Sequence, residues 1–121
     1  MNDKEKVAKM VGILMMSRTY SHMAHLNTPS YAKHIALNDF YDALVGHTDI
    51  IAEASQGLWG KLDIPYVELK GDVSSPVKSL KSHLMMLENL AKGCEHRALN
   101  AIFDDIIILY LSTIYKLQEL D

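Results

Sequence analysis

Residues 60–76 read GKLDIPYVELKGDVSSP, and this stretch decides how the chain is organised. Two glycines and two prolines interrupt any helical run, and Ser75-Pro76 is the cap-then-proline pattern of a helix start. Upstream and downstream of it, apolar residues recur at steps of three and four, a helical period. A second break, NTPS at 27–30, predicts a turn with Pro29 at the first helical position and Asn27 or Thr28 as its cap. A weaker one lies at KGCEHR, around Gly93.

These breaks predict four helices. Residues 3–26 carry Val7, Met10, Val11, Leu14 and Met15; residues 30–59 carry Tyr31, Ile35, Leu37, Phe40, Leu44, Ile51 and Trp59. Residues 76–92 carry Val77, Leu80, Leu84, Leu87 and Leu90; residues 97–119 carry Leu99, Phe103, Ile106, Tyr110, Ile114 and Leu117. The run Ile106-Ile107-Ile108 has strand propensity, but the helical spacing on both sides of it outweighs that. The expected fold is an all-α four-helix bundle in a single domain, 1–121. Short first and last connections make helices one and two, and three and four, antiparallel neighbours. The middle connection, at up to ~3.3 Å per residue, can run the length of a bundle. One long crossover between helices two and three is the ferritin-like arrangement among bundles.

The bulk composition narrows the function. Hydrophobic residues make up 49% of the 121, enough for a packed core. Twelve cations against fifteen carboxylates leave a net charge of −3, with no basic run or tail for nucleic acid. A single cysteine, Cys94, fits a reducing compartment. The polar start, MNDKEKVAKM, is no secretory leader, and the longest apolar run, IIILYLSTIY, is about half the ~20 residues of a bilayer span. The expectation is a soluble, cytoplasmic protein without membrane or nucleic-acid partners.

The chemistry concentrates between residues 22 and 53. At ~100° per residue, His34, Asn38, Asp42, Asp49, Glu53 and Gln56 share one sector of helix two, with no cation between Lys33 and Lys61. Such a stripe is ordinarily a solvated face. Uncompensated carboxylates nevertheless invite a cation, and three histidines crowd the first turn: His22 and His25 at the end of helix one, His34 just past it. Each alone reads as a surface or capping residue; together they make a candidate ligand set. His34 and Asp49 stand fifteen residues apart, about 22 Å at 1.5 Å per residue, and cannot share an ion within one chain. They can across a two-fold dimer in which helix two packs antiparallel to its own copy.

The segment resembles the mini-ferritins of the Dps type, in which two histidines and an acid from one subunit meet an Asp-x-x-x-Glu pair from its two-fold mate. His22, His34, Asn38, Asp49 and Glu53 match that spacing. The wording HLNTPSYAKH, followed by FYD and QG, is closer to a ferritin-like family common in bacteriophage genomes, in which the first histidine is His25. The resemblance implies a metal site of His25 or His22 with His34, Asp49 and Glu53, binding iron as one ion or two, with zinc or manganese as substitutes. It also implies ferroxidase activity, iron storage and a homo-oligomer, from a two-fold dimer to a dodecameric cage. The chain departs from the pattern in having Asn38 where the acid stands and Met23 or Leu26 where the tryptophan stands. DNA protection is not implied, because the basic tail is missing.

Imidazole with carboxylate suits Fe(II), Mn(II) or Zn(II). No Cys-x-x-Cys pair, nucleophile elbow or phosphate loop is present. Asp104 and Asp105 read either as inner-surface acids of a shell or as a polar edge on a buried helix. His47, His83 and His96 read as surface residues; Met15, Met16, Met85 and Met86 as core filler; Trp59 and Tyr66 as packing residues. Three functions compete: an iron-oxidising cage, a non-catalytic interaction or structural bundle that kept the fold, and a bundle stapled by zinc at His22, His25 and His34 within one chain.

Overall fold

The computed structural model describes residues 1–120, and it is all-helical: α1 (Asp3–Asn27), α2 (Tyr31–Trp59), α3 (Pro76–Ala91) and α4 (Arg97–Glu119). α1 opens on a capping box: the Asn2 side chain accepts from the Glu5 N–H at 2.8 Å, and the Glu5 carboxylate accepts from the Asn2 N–H at 3.1 Å. Pro76 occupies the first turn of α3 as expected. The start of α2 differs from expectation. Ser30 is its cap, accepting from the Lys33 N–H at 3.2 Å, and Thr28 closes α1. Pro29 therefore lies in the turn between two caps, since a hydroxyl one residue downstream satisfies the orphan amide better than Pro29 could lead the helix.

The crossover runs the length of the bundle. The α2 C-terminus lies beside the start of α1, and residues 61–73 then pass α1 in extended form. Leu62, Ile64, Val67, Leu69 and Val73 pack against the core, while Lys61, Asp63, Glu68 and Lys70 face water. This is a strand-like alternation without a sheet. Near its middle it passes Gly12, where an added Cβ would stand 2.6 Å from the Pro65 carbonyl oxygen and 2.9 Å from Val67. At its far end the Tyr20 hydroxyl donates to the Asp72 carbonyl at 2.6 Å. α3 consequently starts near the α1–α2 turn and runs antiparallel to α1. α1 packs on α2 and α3, α4 packs on α2 and α3, and the other two pairs lie across the diagonals.

The core is built from the predicted faces: Val11, Ile13 and Leu14 of α1, Leu37, Phe40, Leu44 and Ile51 of α2, Leu80 and Leu87 of α3, and Ile106 and Tyr110 of α4. The Phe40 and Tyr110 rings meet edge to face, with centroids 4.9 Å apart. Some expected packing residues are not there. Tyr66 is fully exposed and Met15 and Met85 face solvent, because each lies outside the buried arc of its segment; Met16, Met86 and Trp59 are half-buried.

The largest departure is His83, expected at the surface and found 1% exposed. Its position, between Leu80 and Leu87 at helical steps, puts it on the buried face of α3. The Tyr110 hydroxyl donates to Ser17 Oγ at 2.7 Å, and Ser17 Oγ lies 2.9 Å from His83 Nδ1. Ser17 thus spends a lone pair on Tyr110 and has its own proton free for the imidazole. His83 Nε2 and the hydroxyl of Ser21, one turn from Ser17, are buried without a partner among the described residues. Burial pushes the His83 pKa down to about 4 and raises that of Tyr110.

Two stability predictions follow from this architecture. Gly12→Ala should destabilise by about 1–2 kcal/mol in urea unfolding, because displacing the crossover outweighs the ~1 kcal/mol gain in helix propensity. The same change at Gly57, which has nothing within 4 Å, should stabilise slightly. For His83, the unfolded ring takes up its proton near pH 6.5 while the folded one waits until about pH 4. Stability is therefore full above pH 6.5 and falls by up to about 3 kcal/mol as pH drops to 4. His83→Leu should flatten that slope in unfolding curves taken across the window.

Candidate functional site

Two features bring the histidines together. The three-residue turn, Thr28–Ser30, returns the chain antiparallel, and a half-buried arc of α2 beside it faces α1. His25 and His34 then lie ring on ring, with centroids 3.6 Å apart and planes 22° from parallel. Each ring is tied to the other residue's backbone: His25 Nδ1 lies 2.7 Å from the His34 carbonyl and His34 Nδ1 lies 2.9 Å from the His25 carbonyl. A carbonyl can only accept, so both Nδ1 atoms carry protons and both Nε2 lone pairs are left for other partners. This is the arrangement that orients metal-ligating imidazoles. It is equally a clasp that holds the hairpin shut.

His22 lies outside this pair. Its ring stacks on Tyr41, with centroids 4.5 Å apart, and is 6.0 Å from His25 at an interplanar angle of 52°. Tyr41 also meets His25 edge-on at 5.4 Å. The Tyr41 hydroxyl donates to Asn38 Oδ1 at 2.8 Å, and the Asn38 amide approaches Asp42 at 3.5 Å. Asn38 therefore relays between a phenol and a carboxylate, and its oxygen is already engaged.

The acidic end of the stripe stands as expected. Asp42, Asp49 and Glu53 are exposed along the outer side of α2, and Asp49 shares a surface groove with Met15, Arg18 and Val45. Among the described residues no three His, Cys, Asp or Glu side chains converge closely enough to hold a metal ion. The three histidines of the turn thus make no three-ligand staple, and Asp49 and Glu53 stay apart from them in one chain. Asp104 and Asp105 face outward on α4. His47 is half-buried and His96, the residue before α4, is exposed.

The two faces of the histidine pair make a restrictive geometry. An ion bound by an imidazole lies near the ring plane along the lone pair. Two near-parallel planes 3.6 Å apart cannot both contain it. His25 and His34 therefore do not chelate one ion as they stand. The tilted pair His22 and His25 is closer to a chelate, since two imidazoles sharing an ion at about 2.1 Å have centroids roughly 5–6 Å apart.

Nitrogen-15 chemical shifts should give the Nδ1–H tautomer for both His25 and His34 when neutral. His34→Ala, which removes the stack and the bond to the His25 carbonyl but keeps the carbonyl that the His25 ring meets, should cost about 1–2 kcal/mol in urea unfolding.

No curated protein and no solved structure matches the chain. A family model matches residues 25–117, which takes in His25, His34, Asp49 and Glu53 and starts after His22. That match covers most of the chain, and the protein belongs to the family described as a family of unknown function, DUF5856.

Proposed function

We propose that the protein is a ferritin-like, homo-oligomeric metal-binding bundle in which the α1–α2 face of one copy meets that of another and ferrous iron is taken up between them. The observation that carries this reading is the orientation of His25 and His34. Both rings have Nδ1 committed to a carbonyl, at the end of a helix whose outer side bears only carboxylates as charged groups between Lys33 and Lys61. The described residues of one chain supply no complete ligand set, and in this reading a second copy supplies the remaining donors.

The register of such a pair is self-consistent. When two α2 helices pack antiparallel with His34 opposite Glu53 of the second copy, Asn38 falls opposite Asp49 and Asp42 opposite Val45. No carboxylate then faces its own counterpart, and the imidazole end of each helix meets the acidic end of the other. Tyr31, Ile35 and Val45, all exposed in the single chain, lie along the same strip and would be covered. In this reading His34 and the carboxylates of Asp49 and Glu53 hold the cation, with His25 or His22 as a further imidazole. Iron supplies the redox chemistry as cargo, and carboxylate oxygen favours its ferric form; zinc or manganese would occupy the same donors.

A second reading is a non-catalytic interaction bundle that keeps the two-fold face without iron chemistry. The stacked rings favour it, since His25 and His34 must part before both can ligate one ion, and so does Asn38, whose oxygen is engaged by Tyr41.

Anaerobic titration with Co(II), as a spectroscopic stand-in for Fe(II), separates the two. The metal-binding reading expects visible ligand-field bands that saturate, are lost in His34→Ala and Glu53→Gln, and are regained when those two variants are mixed, since each copy then brings the group the other lacks. Aerobic Fe(II) should then oxidise faster than in buffer. An intact oligomer that neither binds Co(II) nor speeds Fe(II) oxidation would leave only the interaction bundle.

A further inference from the structure

The outer side of α4 carries a second strip that the site above does not use. Ala101, Asp104, Ile108, Leu111, Tyr115 and Gln118 are all exposed, and their spacing alternates strictly between three and four residues. That is a 3.5-residue period, the seam of a coiled coil. Its centre is apolar: Ile108 is 62% exposed, Leu111 53% and Tyr115 58%. The outer side of α3, by contrast, bears Lys78, Lys81 and Glu88 around a single exposed apolar residue, Met85.

We propose that this strip is a docking seam for α4 of a second copy, with the two helices antiparallel and their two-fold axis between Ile108 and Leu111. In an antiparallel coiled coil the two seam positions of the heptad stack on each other. The layers then pair Ile108 with Leu111 of the second copy at the centre, Asp104 with Tyr115 on either side, and Ala101 with Gln118 beyond. The pairing is complementary in chemistry as well as shape. The Tyr115 hydroxyl donates to the Asp104 carboxylate, a charge-assisted bond. The acidic half of each helix, Asp104 and Asp105, lies along the half of the other that carries Lys116. A parallel pair would instead stack Asp104 on Asp104 and align the two helix dipoles. A lipid surface is the poorer occupant, although α4 is long and apolar enough, by length and composition alone, to cross a membrane. Helices that lie on membranes flank their apolar strip with several lysines and arginines, whereas Asp105, Ser112 and Glu119 stand beside this one with a single cation, Lys116.

The seam is independent of the α1–α2 face, so its test needs no metal. Sedimentation equilibrium of the full chain is expected to give an assembly whose mass falls by half or more in Tyr115→Glu, through at least about a tenfold weaker association. The double variant Tyr115→Glu/Asp104→Arg should regain the original mass. Residues 104 and 115 are three turns apart on one helix, so only an antiparallel neighbour can supply that rescue. All four side chains at the centre are exposed, and circular dichroism should show helix content unchanged. A mass that ignores Tyr115→Glu, or a loss that Asp104→Arg does not reverse, overturns the proposal. So does flotation of the native chain with phosphatidylcholine vesicles that Leu111→Glu abolishes, since the strip would then belong to a bilayer.

Discussion

The absence of a side chain at Gly12 is the constraint on which the rest of the molecule depends. With no Cβ there, the Pro65 carbonyl can lie against α1, and an extended strap of about a dozen residues reaches from one end of the bundle to the other. Had the connection been short, α3 would have turned back beside the end of α2. The strap instead delivers the chain to the α1–α2 turn, so that α3 descends along α1 and α4 climbs along α2. His83 meets Ser17 for that reason, and α4 has one outer side that no helix of its own chain covers. The strap is also core: its inward residues add an apolar layer that four helices of this length would otherwise lack.

Under the proposed function, the α1–α2 turn would have one set of side chains serve two ends. As a clasp, the paired imidazoles satisfy each other's backbone carbonyl at the helix junction, where orphaned groups are costly. As ligands, the same rings would have to swing out of their stack. In the proposed function ligand and fold would therefore be linked, since an ion shared by both Nε2 atoms would compete with the stacking. His22 has no such double duty, since it stacks on Tyr41 without bonding the backbone.

Much of this was legible in the sequence because helical period and punctuation agreed. The four segments match the helices to within a residue or two at each end, and the long connection fixed the topology, since only a chain long enough to run the bundle can join parallel helices. The cap at Ser30 was missed because three adjacent polar residues and a proline compete for one amide. The strap's period-two alternation, Leu62, Ile64, then Val67, Leu69, was present but offset by Pro65-Tyr66. His83 could have been found: it falls on the apolar arc between Leu80 and Leu87, and the bias toward reading histidine as a surface residue hid it. The ring stacking of His25 on His34 was beyond reach, because it depends on two rotamers and a turn geometry, not on spacing. The carboxylate stripe was legible as an exposed face.

The Tyr110–Ser17–His83 chain joins three helices through the middle of an otherwise greasy interior, including the diagonal pair α1 and α4 that share no backbone contact. Hydrophobic side chains tolerate sliding by a turn, since leucine beside leucine costs little wherever it falls. A hydroxyl, a phenol and an imidazole do not, because a slip of one helix strands all three without partners in a dry environment. The trio therefore acts as a key cut to a single alignment: it gives up some stability, visible in the unpartnered Nε2, and in return rejects the neighbouring packings that a purely oily bundle would sample.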